Sequence, residues 1–125
     1  MAFRNIWVPI LDVEIDFDAA RQAKSHLMAM FITNIKFTQQ GIKGIDETTK
    51  RAAAMKTSAK KIGVKITNVY WTLGDHDGVL IFEAPDDETA TKLLLHLSSM
   101  GNVHTTTTRA FTAAEMDKIL VKVHE

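Results

Sequence analysis

The sequence contains no cysteine in its 125 residues. Disulfides, thiolate nucleophiles and cysteine-ligated zinc are therefore excluded at the outset. It also has no excess of either charge, since fifteen Lys and Arg balance fifteen Asp and Glu. Without a global field there is no electrostatic bias toward nucleic acid or an anionic membrane. No window approaches the ~20 apolar residues that span a bilayer. The N-terminus lacks the basic segment and apolar core of a signal peptide, because Pro9, Asp12, Glu14 and Asp16 interrupt it. There is no phosphate-cradling glycine loop, no Ser-His-Asp arrangement, no basic–aromatic array and no internal repeat. The expectation is a soluble, cytoplasmic protein whose partners include neither nucleic acid nor a membrane.

What is present is one domain's worth of chain, 46% apolar and 24% charged. Residues 1–27 stand apart in texture. Asp12-Val13-Glu14-Ile15-Asp16-Phe17-Asp18 alternates acid with apolar, the period of a strand with one dry face, and its carboxylates read as a solvated face. Asp18 would cap a short helix running to about Leu27. This segment is expected to be an N-terminal extension to a domain at 28–125.

A strand follows at 31–37, with Phe31, Thr33, Ile35 and Phe37 on one face. Thr38-Gln39-Gln40-Gly41 leads into a long helix with Ile45, Thr49, Ala52, Met55, Ala59 and Ile62 as its inward stripe. Lys50, Arg51, Lys56, Lys60 and Lys61 read as its solvated side, and Gly63 as its left-handed stop. Val64 to Leu73 changes parity near Thr67-Asn68, which predicts a bulge. Gly74-Asp75-His76-Asp77-Gly78 is a polar turn, and Asp-Gly between apolar runs signals a hairpin. Val79 to Phe82 is apolar on both parities, so both its faces should be covered. Asp86 caps a helix with Ala90, Leu93, Leu94, Leu97 and Met100 inward and Leu95 pointing elsewhere. Gly101-Asn102 ends it. Val103 to Phe111 forms the last strand, and Thr112 with Glu115 makes a capping box. Met116, Ile119, Leu120 and Val123 form the stripe of a final helix.

The order from residue 29 is β-α-β-β-α-β-α. It predicts an α+β, ferredoxin-like βαββαβ unit with a C-terminal helix and a four-stranded antiparallel sheet. Both crossover helices lie on one face of such a sheet. The bare face is expected to meet a second copy, giving a homodimer or higher oligomer of the dimeric α/β-barrel type. Residues 1–27 are the competing cover.

Several separated runs then match a known pattern: Thr38-Gln39-Gln40-Gly41, Tyr70-Trp71-Thr72-Leu73-Gly74, Glu83-Ala84-Pro85-Asp86-Asp87, Gly101-Asn102-Val103 and Arg109-Ala110-Phe111. Together they resemble the GYD family, small α+β proteins with a Gly-x-Tyr-Asp signature in the central turn. The resemblance covers about residues 28–121. It departs at His76, which stands where the signature has tyrosine. An imidazole, unlike a phenol, titrates near neutrality, and it can bind a metal. The family is similar in fold to dimeric α/β-barrel proteins, some of which are monooxygenases or handle haem. The resemblance itself implies no established reaction and specifies no cofactor.

Three functions remain open. The first is binding of a small, partly apolar molecule in a pocket beside the sheet. Its anchors would be Arg109, Thr105 and Thr107, with the turn at 74–77 and, nearby, Trp71, Glu83 and His104. Glu83 needs a partner if its face is buried, and Arg109 is the expected one. The second is an enzyme, with His76 and Asp77 as general base or cofactor ligand. The third is a structural or regulatory oligomer without a ligand. No histidine spacing matches a metal-ligand motif.

Overall fold

Alternation of burial, residue by residue, decides which way this sheet faces. The computed structural model describes residues 28–124, so the strand and short helix expected before residue 28 lie outside the described residues. The elements are β1 (Ala29–Phe37), α1 (Gln39–Lys43), a 3-10 turn (Ile45–Glu47), α2 (Thr48–Lys61), β2 (Lys65–Trp71), β3 (Gly78–Ala84), α3 (Asp87–Ser99), β4 (Val103–Ala110) and α4 (Ala113–Lys122). Four strands form one antiparallel sheet in the order β2-β3-β1-β4. This is the α+β arrangement that the element order predicts.

Along β3, Gly78, Leu80, Phe82 and Ala84 are buried and the residues between them half-buried. The register sets Phe31 opposite Phe82 and Thr33 opposite Leu80, which puts all four on one face. The rings of Phe31 and Phe82 stack at 5.3 Å between centroids. Onto this face α2 presses Met55 and Ala59, and α3 presses Ala90 and Leu93. Thr33 is the one fully buried polar side chain among the described residues, and its hydroxyl bonds that of Thr107 at 2.8 Å. The pairing removes the cost of burying either hydroxyl alone.

The opposite face carries Ile32, Val79 and Ile81, all half-buried, beside Asn34, Thr106 and Thr108. Both crossover helices pack on the other side. The bulge falls as expected, between Ile66 and Asn68. The single long helix does not form. Thr38 caps α1, whose N–H at Gly41 it accepts, and the chain breaks at Gly44 before α2 restarts at Thr48. In consequence Ile45 and Thr49 are exposed, not inward.

α3 starts on Asp86, whose carboxylate accepts from Thr89, and this bonding holds its pKa below the usual value. α4 starts on the capping box, with Glu115 accepting from the Thr112 amide and Thr112 from the Glu115 amide. The Thr112 amide is also the main reason the Glu115 pKa is lowered. Beyond that box Met116, Ile119, Leu120 and Val123 are exposed.

At Gly41 the packing is backbone against backbone. A Cβ on Gly41 would lie 2.1 Å from the Asn102 carbonyl oxygen, so α1 reaches the end of α3 only because residue 41 has no side chain. Gly41→Ala is expected to destabilise the domain by about 2 kcal/mol or more, the upper range for overpacking, since main chain must move. Urea unfolding measures this, and an unchanged midpoint would contradict the joint.

Candidate functional site

In the last row of the sheet, Ile35, Gly78 and Trp71 are neighbours across β1, β3 and β2. Gly78 has no side chain, and a Cβ there would meet the Tyr70 carbonyl oxygen at 3.0 Å. The row therefore has a gap at its centre. α2 covers the gap with Thr48 and Ala52, both too short to fill it, and α3 ends beside it at Leu97 and Met100. The result is a pocket of about 90 Å³ between sheet and helices, walled by Phe37, Met55, Val69, Leu80 and Val103. Its polar groups are Thr48, Arg51, Asp77 and Asn102, with Tyr70 and Trp71 also in its lining.

Each polar group is held by a hydrogen bond, Asp77 and Arg51 to backbone and Thr48 and Asn102 to side chains. Asp77 continues the strand ladder past β3: its amide donates to Ile35 O at 2.8 Å and its carbonyl accepts from the Thr72 amide at 2.9 Å. Its carboxylate Oδ2 accepts from the Phe37 amide at 2.8 Å. Trp71 Nε1 donates to Thr48 Oγ1 at 3.0 Å, which fixes the indole against the start of α2. The guanidinium of Arg51 donates to Gly44 O at 2.8 Å and Gly41 O at 3.4 Å. Asn102 Oδ1 accepts from Gln40 Nε2 at 3.0 Å.

Of the residues singled out from sequence, the structure brings Trp71 and Asp77 to this pocket and disperses the others. Glu83 and His104 lie on the opposite sheet face. Thr105, Thr107 and Arg109 do share the helix-bearing face, but toward β4 and outside the pocket lining. The expected pair of Glu83 with Arg109 does not form, because the register sets them on opposite faces. Arg109 instead pairs with Glu115 at 3.5 Å and lies over the ring of Phe111, 4.5 Å from its centroid. It is thereby fastened to the entry of α4. His76 is half-buried in the turn, and its backbone carbonyl accepts from the Thr72 hydroxyl. No hydrogen bond joins its ring to Asp77 among the described residues.

Sequence reasoning missed Arg51, Thr48 and Asn102. It placed Arg51 on a solvated side, whereas the side chain is half-buried at the pocket. The legible signal was Gly78, a glycine on the parity row of Leu80 and Phe82.

Residues 31–120 match the family described as GYD domain. The chain belongs to this family. In this GYD domain Asp77 closes the end of β1. The chain is 30% identical over 90 residues to the glutamine synthetase and cystathionine beta-lyase binding protein of Thermus thermophilus, covering 71% of this chain and 95% of that one. Among solved structures, it resembles the feast or famine regulatory protein of M. tuberculosis complexed with L-methionine, with a TM-score of 0.51 at 18% identity. That match covers 74% of this chain and 56% of the regulator, so the chain spans just over half the regulator's length. MtbAldR matches with a TM-score of 0.50 at 14% identity, covering 89% of this chain and 69% of that one. At such identities the two structures share the fold.

Removing the Asp77 carboxylate should expose its positioning role. Asp77→Ala leaves the Phe37 amide without its partner and should cost about 1–3 kcal/mol, whereas Asp77→Asn keeps an acceptor and should cost less than half as much. Chemical denaturation of the two variants distinguishes them, and equal losses would contradict the role.

Proposed function

We propose that this GYD domain is a binding domain that takes a small, largely apolar molecule into the pocket between its sheet and helices. The observation that carries the reading is the gap at Gly78, an apolar hole bordered by a few fixed polar groups. That is the ordinary construction of a small-molecule site. Of the relatives, one is named for binding two enzymes and another is a regulator complexed with an amino acid, and the second name is compatible with a small-molecule site. Catalysis by His76 with Asp77 has less support, because the carboxylate is engaged by the Phe37 amide and the two side chains share no hydrogen bond. A second copy of the chain, laid sheet against sheet over Ile32, Val79 and Ile81, completes the proposed assembly.

Xenon tests the hole directly, because apolar cavities of this order take it up without any polar contact. Under dissolved xenon, the methyl resonances of Met55, Leu80 and Leu97 should shift, and Ala52→Leu should abolish the response. Methyl groups that ignore xenon would overturn the reading. Sedimentation velocity on the same sample should give twice the single-chain mass, and a monomer would remove the second copy.

A further inference from the structure

The pocket is lined by one cation and one anion, and neither has an ion-pair partner among the described residues. Arg51 stands in the first turn of α2, half-buried, with two of its five N–H groups given to the carbonyls of Gly44 and Gly41. Those carbonyls fix the guanidinium but leave its charge uncompensated, and the positive end of the helix adds to it. Asp77 is also half-buried, and only its Oδ2 accepts a hydrogen bond, from Phe37. No buried side-chain polar atom among the described residues is without a partner, so Arg51 Nε and Asp77 Oδ1, which make no hydrogen bond there, are not sealed off from an incoming group.

A simple anion in this pocket would meet Asp77, and a simple cation would meet Arg51. A molecule that carries both charges answers both. We propose that the occupant is a zwitterion with a short apolar side chain, in class an aliphatic α-amino acid. Its carboxylate is received by Arg51 and its ammonium by Asp77, with the side chain against Met55, Leu80 and Leu97. The proposal rests on the pocket reading above and adds the ligand's charge pattern. An apolar cavity of ~150 Å³ admits benzene, so a pocket of about 90 Å³ holds roughly four heavy atoms, which limits the occupant's apolar part to a side chain of that size.

The test is calorimetric titration of the full chain with L-leucine, 4-methylpentanoate and 3-methylbutylamine. The last two keep the leucine side chain but carry only one of its charges. L-leucine should bind at least about tenfold tighter than either, a difference of about 1.4 kcal/mol. Asp77→Asn, which retains an acceptor for Phe37, and Arg51→Gln should each weaken L-leucine by about tenfold or more. The ligand series needs no variant, so it decides the matter even where a substitution disturbs folding. L-leucine binding no tighter than its one-charge relatives, or indifferent to both substitutions, would overturn the proposal. If L-leucine fails while xenon still shifts the pocket methyls, the zwitterion falls and the pocket reading stands.

Discussion

The end of β1 is the constraint on which the other features depend. Within four residues the chain is tied on both sides: Ile35 O takes the Asp77 amide at 2.8 Å, and the Phe37 amide meets Asp77 Oδ2 at 2.8 Å. Next, the Thr38 amide meets Asn102 O at 3.0 Å and its hydroxyl meets Gly101 O at 2.6 Å. A strand end leaving a sheet would otherwise present these groups unpaired, at a cost comparable to a lost hydrogen bond for each. Satisfying them draws the β2–β3 turn and the end of α3 to the same point. The pocket is the space that those three segments and α2 leave beside Gly78.

The joint brings separated stretches of sequence together. Thr38 to Gly41, Gly74 to Asp77 and Gly101-Asn102 are far apart in the chain and meet at one joint. Thr38 serves twice, since its hydroxyl donates to Gly101 O and accepts the Gly41 amide that starts α1. Gln40 adds bonds to Met100 O and Asn102 Oδ1. Gly101 supplies the left-handed turn, at φ +84°, that brings Asn102 within reach. None of these bonds is chemistry on a substrate. They fix backbone, and through it they place Arg51, Asp77 and Trp71 around a common space.

The faces of the sheet were legible because period two is a physical property of an extended chain. Phe31, Thr33 and Ile35 face the helices together, and the parity change in β2 located the bulge. The caps at Asp86 and Thr112 were legible for a similar local reason. What periodicity cannot carry is the pairing between distant strands. Arg109 and Glu83 looked like partners when the register was unknown, and a shift of one residue moves a side chain to the other face. The nearer partner, Glu115, was already assigned to a cap, and it serves both roles. A pocket beside the sheet was expected, but its place was not legible, because a gap is a missing side chain and is located only once Ile35 and Trp71 are known to flank Gly78.

Amide hydrogen exchange at Phe37, Thr38 and Asp77 tests the joint most directly. These amides bond groups outside the regular ladder, yet the structure requires them to open only with the sheet itself. They should exchange as slowly as the ladder amides of Thr33 and Leu80. Exchange as fast as at Gly74 and Asp75, in the exposed turn, would show that the end of β1 opens by itself and that no fixed pocket is held there.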